Sequence, residues 1–141
     1  MIADIEPAIL PLVEALNQTG LVRTFSSCAG HFEPHEQTLR DRNHAEVRFV
    51  PAPNVPMSAV EDALGQWLAG FKARHGLLPV ALSGYKLFTP LSADEVEETF
   101  VLELRPFNRF EPPAIKRADI DRAIQQATHV IAHSGCTFAT I

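Results

Sequence analysis

The sequence predicts an α+β fold in a single domain spanning residues 1–141: an N-terminal helix followed by two strand–strand–helix units sharing an antiparallel or mixed sheet. Three observations predict it. Apolar residues recur at helical spacing in three segments, they alternate with period two in others, and proline and glycine punctuate the boundaries. With 141 residues, 46% hydrophobic and 21% charged, the chain also has the size and composition of one ordinary globular domain.

Taken in order, Ile9, Leu12, Val13 and Leu16 form the first helical stripe. Pro11 places the regular start near Leu10, because proline is tolerated only in a first turn. Gly20 supplies a stop, and Leu21 to Phe25 reads as a short strand entering a Ser26-Ser27-Cys28 turn. Residues 29–44 are polar and read as a long loop of the kind that carries function. Ala45 to Val50 alternates apolar and polar, a strand with one buried face, stopped by the Pro51-Ala52-Pro53 piece. Ser58 and Glu61 have capping-box spacing ahead of a helix that buries Val60, Leu64, Trp67, Leu68 and Phe71 and ends at Gly76. Val80 to Phe88 is a strand interrupted at Ser83-Gly84. Phe100, Leu102 and Leu104 mark another, closed by Pro106. Ile120, Ile124, Ala127 and Ile131 give the last helix, with Gly135 as its cap.

Strand–strand–helix thus occurs twice, over 21–76 and 78–135. In each copy a proline closes the second strand (Pro51, Pro106) and a glycine ends the helix (Gly76, Gly135). An internal duplication and the plain alternation of an α+β domain both account for this pattern.

Bulk properties narrow the function classes. A net charge of −5, a pI near 5.6 and no basic run longer than Lys116-Arg117 disfavour nucleic acid as a partner. No apolar run reaches the ~20 residues a membrane span needs, and the first residues lack the basic and apolar regions of a signal peptide. Together with two cysteines, this reads as a cytoplasmic chain in a reducing compartment, with a Cys28–Cys136 disulfide disfavoured. No Gly-x-Gly-x-x-Gly, P-loop or Gly-x-Ser-x-Gly motif occurs.

The residues that point to a site are Ser26, Ser27, Cys28, Ala29, Gly30 and His31, with His35 and His44 beyond them. Gly30 permits backbone angles closed to other residues and a close approach by a ligand. The serine hydroxyls both donate and accept. Three readings stand side by side. Cys28 and His31 have Cys-x-x-His spacing, so zinc could be held by Cys28, His31, His35 and His44. Alternatively, Cys28 is a catalytic nucleophile whose thiol His31 activates, which predicts a lowered thiol pKa and faster alkylation than Cys136. In the third reading the turn is structural and Cys28 packs inward.

The same residues resemble a family. Thr24 to His31 is similar to the Ser-Ser-Cys-Ser-Gly-Arg motif of the tRNA wybutosine-synthesizing protein 3 family, in which the motif also follows an N-terminal helix and a short strand. Ser26, Ser27, Cys28 and Gly30 match; Ala29 stands for serine and His31 for arginine. The resemblance implies a duplicated α/β unit closing an antiparallel sheet. It also implies S-adenosylmethionine as cofactor, methyl transfer to a modified guanosine of phenylalanine tRNA, and ligand binding by the matching residues.

Other groups carry weaker signals. If the domain is duplicated, Ser83 to Lys86 is the counterpart of the Ser-Ser-Cys strand, and Tyr85 is expected to line the same cleft as a ligand-binding residue. His129 and His133 share a helical face away from the apolar stripe and read as surface histidines, with Cys136 close by. Asp94, Glu95, Glu97 and Glu98 read as a solvated helical turn capped by Ser92. The functional expectation is therefore a small-ligand- or metal-dependent enzyme. A non-catalytic metal- or nucleotide-binding module, or an interaction protein with a structural turn, is the alternative. A small-molecule ligand is the expected partner, and oligomeric state is left open.

Overall fold

Seven elements follow the expected order in the computed structural model, which describes residues 5–30 and 44–135. They are α1 (Leu10–Gln18), β1 (Val22–Cys28), β2 (Ala45–Pro51), α2 (Met57–His75), β3 (Val80–Pro90), β4 (Val96–Pro106) and α3 (Pro113–Ala132). The fold is α+β, with one four-stranded antiparallel sheet in the order β1-β2-β4-β3.

Helix α1 begins at Leu10, with Pro11 inside its first turn, where a missing N–H costs nothing. The Glu6 carbonyl accepts the Ile9 and Leu10 N–H groups at 3.1 and 3.2 Å. Helix α2 lacks the expected capping box: Pro56 holds the N-cap position with no side-chain bond. Glu61 is drawn instead to Lys86 of β3, whose Nζ lies 2.6 Å from its carboxylate. Gly76, at φ +72°, ends α2 in the left-handed region that glycine tolerates.

Two further expectations are corrected. Residues 91–95 form the β3–β4 hairpin loop rather than a helical turn, closed by the Leu91 N–H donating to the Glu95 carbonyl at 2.9 Å. Ser83-Gly84 does not interrupt β3, which runs unbroken past both residues. Glycine is required there because Leu64 of α2 lies on the strand: a Cβ at position 84 would meet its Cδ1 at 2.8 Å.

The helices share one face of the sheet, with α3 packed against both α1 and α2. The core between them holds Leu12 and Leu16 of α1, Trp67 of α2, Ile120 and Ile124 of α3, and the inward residues of the central strands. Phe49 and Phe100 are paired in register and their rings stack with centroids 5.7 Å apart. Such a pair adds about 0.5–1.5 kcal/mol beyond its area burial.

The strand order is unchanged when the two hairpins are exchanged, since β2 and β4 are central and β1 and β3 are outer. The hairpins are unequal, with seven-residue strands in one and eleven-residue strands in the other. Among the described residues no helix is long and apolar enough to cross a membrane.

Candidate functional site

Alternation along the strands sends Val47, Phe49, Leu102 and Leu104 toward the helices, and Glu46, Arg48, Val101 and Glu103 to the opposite face. Cys28 reaches that second face through an irregularity in β1. The β1–β2 register pairs Thr24 with Phe49 and then Ser26 with Arg48, so Phe25 is an extra residue. Without this bulge Cys28 would oppose Ala45 and face the core, because a one-residue slip turns every side chain over. With it, Cys28 stands opposite Glu46.

Glu46 in turn stands opposite Glu103, and Glu103 opposite Ser83 of β3. One row across the sheet is therefore Cys28, Glu46, Glu103, Ser83. The neighbouring row is Ser26, Arg48, Val101, Tyr85.

The two central carboxylates are buried, with side-chain exposures of 11% for Glu46 and 7% for Glu103, and His44, 4% exposed, joins them. Its Nε2 lies 2.9 Å from Glu46 Oε1 and 3.5 Å from Glu103 Oε2. Buried carboxylates facing each other need cationic or hydrogen-bonding partners. Arg48 Nε donates to Glu46 Oε2 at 2.7 Å, Arg105 Nε lies 3.0 Å from Glu103 Oε1, and the Tyr85 hydroxyl donates to Glu103 Oε2 at 3.3 Å. The bond to Glu46 pushes the Arg48 guanidinium above its already high value. In the tautomer with its proton on Nε2, His44 donates to Glu46 Oε1.

Glu6 closes the row at its β1 end. Its Oε1 accepts the Ala29 N–H at 3.1 Å, and it accepts a hydrogen bond from the Cys28 thiol. Burial pushes the Cys28 thiol up, and the charges of Glu6 and Glu46 push the same way; a hydrogen bond from the Gly30 backbone opposes them without prevailing. This is the reverse of the lowered value expected for an activated nucleophile.

The sequence-predicted residues are distributed as follows. Ser26, Ser27 and Cys28 belong to strand β1 rather than to a turn. Ser26 is exposed beside Arg48, whereas Ser27 pairs with Val47 and so shares the helix-side face. Gly30 adopts φ +92°, the left-handed region its sequence role called for. Tyr85 lies on the same face as Cys28, through its bond to Glu103. His31 and His35 fall outside the described residues, as does Cys136. Of the four expected zinc ligands, Cys28 and His44 are described, and His44 is engaged by the two glutamates. Among the described residues no group of three or more His, Cys, Asp and Glu side chains is arranged to hold a metal ion. His129 and His133 are exposed, their rings 4.1 Å apart, and His133 Nδ1 bonds the His129 carbonyl at 2.9 Å.

Sequence reasoning missed Glu6, Glu46, Arg48, Glu103 and Arg105. The signal for four of them was the repeated Glu-apolar-Arg tripeptide, Glu46-Val47-Arg48 and Glu103-Leu104-Arg105, each within an apolar strand. Compared with family models, curated proteins and solved structures, the chain matches none.

Proposed function

We propose that this chain is a small-ligand-dependent enzyme whose proton-transfer centre is His44 between Glu46 and Glu103, on the sheet face that carries Cys28 and Tyr85. The observation behind this reading is the register match of two buried glutamates with an imidazole nitrogen within 3.5 Å of both. Packing alone is served better by apolar side chains, since a buried ionic cluster is neutral or costly to stability. An imidazole hydrogen-bonded to one carboxylate with a second beside it is suited to general acid–base work.

Around this centre Cys28 and Tyr85 act as neutral donors, and Arg48 and Arg105 hold the carboxylates in place. Both signs of charge lie on the face, so it suits a small polar ligand with a cationic and an anionic group. The resemblance to the wybutosine-synthesis methyltransferases makes S-adenosylmethionine the first probe. A second reading, a non-catalytic binding module, is favoured by the raised thiol, because a protonated Cys28 binds but does not attack.

The test is amide chemical-shift mapping with S-adenosylmethionine and, separately, with zinc. The reading predicts perturbations centred on Cys28, Ala29, Glu46 and Glu103 with S-adenosylmethionine, lost in E46Q/E103Q. Zinc binding with proton loss from Cys28 would return the metal reading. Perturbation of neither set would remove S-adenosylmethionine and zinc as ligands of this face.

A further inference from the structure

The β3–β4 hairpin ends in two unlike surfaces. At its tip, residues 91–98 hold Asp94, Glu95, Glu97 and Glu98 and no lysine or arginine. Phe88, Leu91 and Val96 are each about 60% exposed beside them. Asp94, Glu95 and Glu97 have no cationic partner among the described residues. A charged loop alone would be an ordinary solvated turn; three large apolar side chains held among the carboxylates are not explained by solubility.

The other end is complementary. Where β3 begins and β4 ends, two adjoining cavities of about 270 and 210 Å³ share Leu78, Pro79 and Asp119 in their walls. Phe71 and Val80 line one, Phe107 the other, and Leu78 and Phe107 are exposed at 63% and 60%. A volume of roughly 150 Å³ is enough for a benzene ring, so by size each accommodates a phenylalanine or leucine side chain. Arg74, His75 and Arg122 rim the larger cavity, with Arg122 paired to Asp119 at 3.2 Å, and Lys116 and Glu111 line the smaller one. Segments 72–75 and 105–122 contain seven of the chain's twelve Lys and Arg residues and only three of its seventeen acids. Arg105, Arg117 and Arg122 of these are paired with Glu103, Asp121 and Asp119, and the surplus still leaves a basic end on a chain of net charge −5.

We propose that the acidic, apolar hairpin tip of one copy docks into the basic, apolar groove of a second copy, giving head-to-tail self-association. Eleven-residue strands at about 3.4 Å per residue place the two surfaces about 35 Å apart, so a chain cannot satisfy its own groove. Leu91 and Phe88 enter the cavities while Asp94 and Glu97 face Arg74. Because the two surfaces differ, the contact is heterologous and builds rings or open chains rather than a closed two-fold dimer.

Sedimentation equilibrium of the whole chain, over a concentration series at low and high salt, tests this. The average mass is expected to rise with concentration at low salt and to fall toward the monomer at 1 M, where the Debye length is only about 3 Å. The swaps D94K/E97K at the tip and R74E/R122E at the groove should each weaken self-association at least about tenfold. Mixing the two variants should restore a complex, since each retains the surface its partner has lost and both must be folded to form it. A wild-type monomer at every concentration, a mass indifferent to both swaps, or salt-insensitive association overturns the proposal.

Discussion

Glu46 and Glu103 face one another across adjacent antiparallel strands, with His44 Nε2 2.9 Å from one and 3.5 Å from the other. Two buried carboxylates in register repel unless a proton or a cation stands between them. His44 supplies the group between them, and Arg48 and Arg105 hold the outer oxygens. Removing the imidazole by H44A is therefore expected to cost about 3–5 kcal/mol, the range for breaking a buried ion pair from one side. Adding E103Q should return part of that loss, because only one buried charge then remains. Urea unfolding of wild type, both single variants and the double variant measures the coupling. Additive losses would show that His44 does not hold the two glutamates together.

The Cys28 thiol is pushed up by burial and by Glu6 and Glu46, so the native thiol holds its proton more tightly than the unfolded one. Its contribution to stability is present below the unfolded thiol value of about 8.5 and is lost as pH rises through the higher folded value. Unfolding free energy should decline above that pH in the wild type and decline less in C28S. Near neutral pH, native Cys28 should also react with iodoacetamide more slowly than in the urea-unfolded chain. Faster alkylation in the native state would restore the activated-nucleophile reading.

The bulge at Phe25 brings Cys28 to the acidic face. Deleting Phe25 restores uniform pairing and leaves Cys28 opposite Glu46, because residues 26–28 keep their β2 partners once the extra residue is gone. The deletion variant is expected to fold with its native thiol alkylated at the wild-type rate. If the folded variant instead buries the thiol against alkylation, Phe25 is not the residue that turns β1 over.

Gly84 accommodates Leu64, which sits 2.8 Å from where a Cβ would be. G84A is expected to lose about 1–3 kcal/mol through overpacking. Because the same leucine methyls are involved, G84A combined with L64A should lose less than the sum of the two single losses. Strict additivity in thermal or urea unfolding would remove Leu64 as the reason for the glycine.

These residues also show where the sequence was legible. The stripe Ile120, Ile124, Ile131 and the alternation Phe100, Leu102, Leu104 declare helix and strand because local period equals burial period. Ser26-Ser27-Cys28 read as a turn because small polar residues favour turns; pairing with β2 overrode that preference. Glu61 read as a cap, but a partner on another strand, Lys86, claimed its carboxylate. The site was half visible. Cys28, Gly30, His44 and Tyr85 stood out by residue type, whereas Glu46 and Glu103 looked like the solvent side of an alternating strand. Only the β2–β4 register, 57 positions apart in the chain, shows that they meet.

The state of the His44 ring tests the account most directly. With Glu46 Oε1 and Glu103 Oε2 both acceptors around Nε2, that nitrogen is predicted to carry a proton. Nitrogen-15 NMR of the histidine side chains should give His44 the Nε2 shift of a protonated ring nitrogen, and E46Q should move that resonance while leaving those of the exposed His129 and His133 in place. A bare Nε2, or a resonance indifferent to the loss of the Glu46 charge, would contradict the proton-transfer centre at its root.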